Sequence, residues 1–253
     1  MKVNRTIALG SLAVLLAGAA AGGKEPVVKV AEFATDDGVT IVGDYYPPMG
    51  RAMAPAVILL HMYKHDRTTW KPLAAPLHRS GFAVLAIDLR GHGQSTKPAD
   101  RNLARRIDRR DPLLFNAMHQ DVAAAVKWVR SQPNVDQGQL ALVGASIGCS
   151  VALDYTARDD SVDAVVCLTP GENYLGVDST KHIRSTGDRP ILLLATEDER
   201  RATDALAKLA DNAEGKIVGK GRVHGTEMLG RIEGIEELIV KFLSEHVLEA
   251  SRE

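Results

Sequence analysis

The chain has 253 residues, 45% apolar and 25% charged, with a formal net charge of −1. That length suits one large domain or two small ones at roughly 100–200 residues each, and the apolar share excludes a disordered chain. The near balance of 31 basic and 32 acidic residues excludes the lopsided surface of a nucleic-acid binder, two cysteines make neither a disulfide scaffold nor a four-ligand zinc site, and 4% aromatics give no broad stacking platform.

Lys2 and Arg5 open the chain, residues 7–21 are an almost unbroken apolar run, and Ala17-Gly18-Ala19 and Ala19-Ala20-Ala21 follow as A-x-A sites. Charge, apolar stretch, then small residues is the order of a secretory signal. The run is shorter than the ~20 residues that cross a bilayer core. The expectation is a signal over 1–21 without a lipid-attachment cysteine. The protein would then be secreted or periplasmic, with no stable membrane insertion after the signal is removed. In such a compartment a disulfide between Cys149 and Cys167 is chemically allowed, but their positions read better as small core residues.

Runs rich in Val, Ile and Leu then recur with helix-like stretches between them. Residues 27–34 and 39–46 flank Asp36-Asp37-Gly38, an antiparallel hairpin signal. Further strands are predicted at 56–61, 82–89, 140–143, 164–168, 191–195 and 216–223. Helices are predicted at 70–79, 116–132, 147–158 and 201–212, and from 234 onward. Strands alternating with helices imply a mostly parallel sheet covered on both faces, in one α/β domain over 27–250. Ligands of such sheets bind beyond the carboxyl ends of the strands.

The fifth strand runs into Gly144-Ala145-Ser146-Ile147-Gly148. A strand that turns sharply into a helix strains the turn residue and pushes its side chain out of the sheet, while small flanking residues let strand and helix cross. The same turn aims the Ile147 amide and the positive helix end at Ser146, where an oxyanion would develop. A plain N-cap serine is the bland alternative. A serine nucleophile needs a histidine base oriented by a carboxylate. His224 follows the last predicted strand, whereas His182 precedes the seventh and His246 lies in the terminal helix. For the acid, the seventh strand ends in Ala195-Thr196-Glu197-Asp198-Glu199. Asp198 is favoured as short and one step beyond the strand, with Glu197 second and Glu172 third.

These features, with Leu60-His61-Met62, Asp88-Leu89-Arg90-Gly91-His92-Gly93-Gln94-Ser95 and Val223-His224-Gly225-Thr226, make the chain similar to the α/β-hydrolase family over its mature length. It resembles most the compact dienelactone-hydrolase-like and small-esterase branches. The resemblance implies Ser146 as nucleophile, Asp198 as acid and His224 as base. It places the second oxyanion amide on Tyr63, with Met62 the alternative. Two departures matter. Dienelactone hydrolases proper use cysteine where this chain has Ser146, so their substrate is not implied, and the usual His-Gly is here His61-Met62.

His61, His65, Asp66 and His92 lack a further partner at metal-ligand spacing, so no metal and no cofactor are expected. Met62, Tyr63, Phe115 and Tyr174 are candidate pocket walls or core. The arginine-rich stretch within 91–114 reads as a solvated face that could overhang the pocket. Only 171–190 separates the sixth and seventh strands, too little for a full cap domain. The expected activity is cleavage of a small-molecule carboxylic ester through an acyl-enzyme intermediate, with no nucleic-acid partner. Thioester or small-peptide hydrolysis, cofactor-free haloperoxidase-like oxidation, and a non-catalytic binding protein on the same fold are the alternatives.

Overall fold

Continuous β-branched and leucine runs cannot sit on a half-solvated sheet, so the strands they form must be covered on both sides. The computed structural model describes residues 26–50 and 52–248; the predicted signal over 1–21 lies outside them. β1 (Lys29–Ala34) and β2 (Thr40–Tyr46) form the expected hairpin, followed by β3 (Ala54–Leu60), α1 (Lys71–Arg79) and β4 (Ala83–Ile87). α2 (Leu103–Asp108), α3 (Pro112–Asn116) and α4 (His119–Arg130) lead to β5 (Val135–Ala145), α5 (Ile147–Thr156) and β6 (Ala164–Leu168). A two-stranded hairpin of β7 (Asn173–Tyr174) and β8 (Val177–Asp178) precedes α6 (Ser179–Ile183) and β9 (Ile191–Ala195). α7 (Arg200–Ala207), β10 (Ala213–Ile217) and α8 (Ile235–Leu243) follow.

The main sheet has eight strands in the order β1-β2-β4-β3-β5-β6-β9-β10. β2 pairs antiparallel with β1 and β4, and the remaining pairs are parallel. The period-two alternation of side chains divides β3 and β5 between two cores. Ile58, Leu60, Leu140 and Leu142 pack with Val122 and Val126 of α4 and Val151 of α5. Val57, Leu59, Ala141 and Val143 pack with Leu73 and Leu77 of α1 and Ile239 and Leu243 of α8. Among the described residues no helix is long and apolar enough to cross a membrane.

Two expectations need revision. The last strand is displaced: it spans Ala213–Ile217, and 218–223 is a loop, because β9, its neighbour in the sheet, ends at Ala195 opposite Ile217. Gly221, with φ +73°, turns the chain away from the sheet. The charged stretch is not all solvated, because Leu103, Ile107, Leu114 and Phe115 bury one side of α2 and α3 while Arg105, Arg109 and Arg110 face outward. Segment 171–190, short as expected, is ordered into β7, β8 and α6. Cys149 and Cys167 are free, fully buried thiols, and burial pushes the Cys149 thiol well up.

One buried ion pair ties the first hairpin to the rest. Arg90, 2% exposed, donates its backbone N–H (2.9 Å) and Nε (2.7 Å) to Asp121, which is 0% exposed. Its two terminal nitrogens reach Asp37 at 2.8 and 3.0 Å in the β1–β2 turn. Burial pushes the Asp121 carboxyl up to about 6 against the opposing pull of Arg90. Removing one partner strands the other charge, whereas replacing both with apolar groups does not. Arg90→Met is therefore expected to lose about 3–5 kcal/mol in denaturant unfolding, and Arg90→Met/Asp121→Leu to regain most of it.

Candidate active site

A single residue, Ser146, joins β5 to α5, and its backbone is held at φ 52°, ψ −115°. A non-glycine residue there is strained by about 1–3 kcal/mol, so packing on both sides must hold it. The packing is unusually close. A Cβ on Gly144 would overlap the Gly148 carbonyl, and one on Gly148 would overlap the Leu60 carbonyl at the end of β3. The Ser146 N–H donates to the Leu168 carbonyl at 2.9 Å, fixing the elbow to the end of β6. Ile147 opens α5, so its N–H is one of the donors that a helix start leaves without an intrahelical acceptor.

His224 arrives on the loop after β10. Val223 N–H donates to Thr196 Oγ1 at 3.4 Å and Gly225 N–H to Thr169 Oγ1 at 2.9 Å, one anchor on each side of the histidine. Gly225 has φ +54°, and a Cβ there would meet Met62 Sδ at 2.7 Å and Ala145 Cβ at 3.4 Å. The His224 loop is thus pressed between the residue before Ser146 and the loop after β3. The ring Nδ1 lies 2.9 Å from Glu199 Oε1. A carboxylate accepts, so Nδ1 carries the proton and Nε2 keeps the lone pair.

The partner of His224 is Glu199 and not Asp198. Glu197–Glu199 form one 3-10 turn after β9, in which successive side chains point about 120° apart. Glu199 turns inward to His224, and Asp198 is exposed. Glu197 is exposed and pairs with Arg200 at 2.9 Å, and Glu172 is exposed after β6. Proximity to the strand end does not single out Glu199 within the acidic run, and side-chain length does not either, since Glu197 has the same reach; the turn decides.

The loop after β3 is pinned at both ends. His61 is fully buried; its Nδ1–H donates to the Met62 carbonyl at 2.8 Å, and its Nε2 accepts the Leu89 N–H at 3.0 Å. Burial pushes the imidazole down to about 3, so it stays neutral, and both nitrogens are engaged. Asp88, also fully buried, accepts the N–H groups of Arg67 and Gln94 at 2.8 Å each. Between these anchors Met62 is core, whereas Tyr63 is half-buried with its hydroxyl donating to the Ile107 carbonyl at 3.2 Å. Phe115 is core and packs edge-on to Tyr63 at 6.0 Å. Lys64 and Arg110 approach the Tyr63 ring to 5.6 and 5.8 Å, so the arginine-rich stretch does border this loop.

Tyr174, half-buried on β7, stands edge-on to His224 with ring centroids 6.3 Å apart. A cavity of about 420 Å³, lined by Thr169, Tyr174, Glu199, Arg201 and Arg222 among others, opens beside Tyr174, and neither Ser146 nor His224 lines it. A larger groove of about 520 Å³ lies across the acidic turn, against Glu197, Asp198 and Lys220, and includes neither Ser146 nor His224. Among the described residues no three His, Cys, Asp or Glu side chains group as a metal site requires.

Residues 55–206 match the family model described as the alpha/beta hydrolase fold, a segment that holds Ser146 and Glu199 and stops before His224. A dienelactone hydrolase from Anabaena variabilis superimposes with a TM-score of 0.69 at 18% identity, over 89% of this chain and 99% of that one. A Pyrococcus furiosus esterase does so with a TM-score of 0.67 at 18% identity, over 88% and 92%. These are likenesses of fold. A thiohydrolase of Aspergillus aculeatus is 26% identical over 148 residues, 58% of this chain and 43% of its own. An uncharacterized Mycobacterium tuberculosis protein is 32% identical over 120 residues, 47% and 37%. The chain spans less than half the length of these two curated relatives.

The buried His61 makes the loop after β3 a source of acid sensitivity. Native His61 stays neutral down to about pH 3, while the unfolded chain protonates it near 6.5. Between those values the unfolded state binds the extra proton, so stability falls on acidification by about 1.4 kcal/mol per pH unit from this group. Denaturant midpoints measured from pH 7 to 4 should show a slope that is shallower by one proton in His61→Asn, which starts from a lower stability at pH 7.

Proposed function

We propose, for a chain that belongs to the α/β-hydrolase family, that it is a serine hydrolase of small carboxylic esters, with Ser146 as nucleophile, His224 as base and Glu199 as orienting acid. The 2.9 Å pairing of His224 with Glu199, on a loop packed against the residue before a strained Ser146, carries this reading. Glu199 holds the imidazole in the tautomer whose Nε2 accepts a proton and stabilises the imidazolium once formed. As Ser146 Oγ attacks the ester carbonyl, its proton passes to Nε2, and the carbonyl π electrons move to oxygen. That oxyanion is received by the Ile147 N–H and by an amide of the Met62-Tyr63 loop, at the positive end of α5. Collapse expels the alkoxide, which takes the proton from His224 and leaves Ser146 acylated. Water, deprotonated in turn by His224, releases the acid.

A thioester is the second reading, since a thiolate leaves by the same steps and one curated relative carries the name thiohydrolase. Export belongs to the same proposal and rests on the order of charge, apolar run and A-x-A sites over 1–21.

Fluorophosphonate labelling of the purified protein and hydrolysis of short p-nitrophenyl esters test the assignment. Ser146→Ala and His224→Ala should each lower kcat by ~10³-fold or more, and Ser146→Ala should lose labelling altogether. Glu199→Gln should cost ~10³–10⁴-fold, while Asp198→Asn leaves kcat/KM unchanged. Full activity in Glu199→Gln would overturn the choice of acid. Absence of both labelling and turnover in the wild type would leave a binding protein on a hydrolase fold.

A further inference from the structure

Tyr174 packs on the edge of the core and stands beside His224. Its ring is lodged against Gly171, where a Cβ would come within 2.5 Å of Tyr174 Cε2 and Cζ. It stands edge-on to the His224 ring at 6.3 Å and 82°. Its hydroxyl points to the Thr169 carbonyl at 3.5 Å, and the Ser146 side chain acts on it as a hydrogen-bonding neighbour. The phenolic oxygen therefore sits by the Thr169 carbonyl and Ser146, on a ring that stands edge-on to His224. The O–H has a backbone acceptor, and an oxygen lone pair is directed elsewhere. Burial pushes the phenol up to about 12, so it acts as a neutral hydrogen-bonding group and not as a base.

Resting on the serine-hydrolase reading, we propose that Tyr174 and His224 together hold the water that releases the acyl group. Acylation turns the Ser146 hydroxyl into an ester, and the leaving group then vacates the His224 side. A water entering there donates one hydrogen to His224 Nε2 and the other to the Tyr174 oxygen. Its lone pair is then turned to the acyl carbon. The proton goes to Nε2 as the oxygen–carbon bond forms. Collapse breaks the bond to Ser146 Oγ, which recovers the proton from His224, and Tyr174 neither gains nor loses one. The cavity lined by Tyr174, Thr169 and Glu199 brings solvent to the Tyr174 side of the site.

Tyr174→Phe keeps the ring against Gly171 and removes only the oxygen. With p-nitrophenyl acetate followed on the pre-steady-state timescale, the burst rate and the rate of fluorophosphonate labelling should stay as in wild type, since neither needs water. The steady rate after the burst should fall about 10-fold, the effect of one lost hydrogen bond. KM should fall with it, leaving kcat/KM unchanged. An unaltered steady rate would overturn the proposal. So would a labelling rate that falls in step with turnover, because Tyr174 would then shape the site as a whole. A wild type that does not label would instead sink the serine-hydrolase reading itself, a result separable from either of these.

Discussion

The close approach of α5 to β3 and β5 is the constraint on which the site depends. The Leu60 carbonyl occupies the space where Gly148 would carry a side chain, and the Gly148 carbonyl occupies that of Gly144. With the helix driven this far into the strand ends, the residue between them has no relaxed conformation, and Ser146 takes a positive φ. The strain is supported by fully buried neighbours: Leu60 on one core, Val143 and Ala145 on the other. The same contact sets the position of α5's first amide relative to the loop after β3, so Ser146, the Ile147 N–H and that loop are placed by one packing event.

The surrounding polar groups act as ties between loops. His61 links the end of β3 to the chain after β4, Thr169 links the end of β6 to the His224 loop, and Thr196 links the end of β9 to the residue before His224. Each tie pairs a backbone N–H with a side-chain acceptor. Loops carry the chemistry, but their freedom is removed at each end.

The sheet and the elbow are legible in the sequence because their signals are local. Apolar runs mark strands wherever both faces are covered, and Gly144, Ser146 and Gly148 sit within five residues of one another. The carboxylate partner of His224 is less legible. Glu197, Asp198 and Glu199 share one short acidic run, and only the 3-10 turn, a tertiary outcome, decides that Glu199 faces His224. The last strand extends less far than its sequence suggests because an edge strand stops where its neighbour stops, and β9 ends at Ala195. α2 is masked by Arg105 and Arg106 and α3 by its length of five residues, although Leu103, Ile107, Leu114 and Phe115 keep a buried face.

The hairpin of β7 and β8 meets α3 directly. Asn116 Nδ2 donates to the Gly176 carbonyl at 3.0 Å, and a Cβ on Gly176 would come within 2.8 Å of Pro112 Cβ. These two short insertions, one after β4 and one after β6, close an arch over the sheet whose keystone is a glycine turn. Neither insertion contributes a strand to the main sheet or a member of the proposed triad. The arch nonetheless carries Tyr174 beside His224 and Phe115 beside Tyr63, so a change in the length of either insertion is transmitted to the loops that surround Ser146.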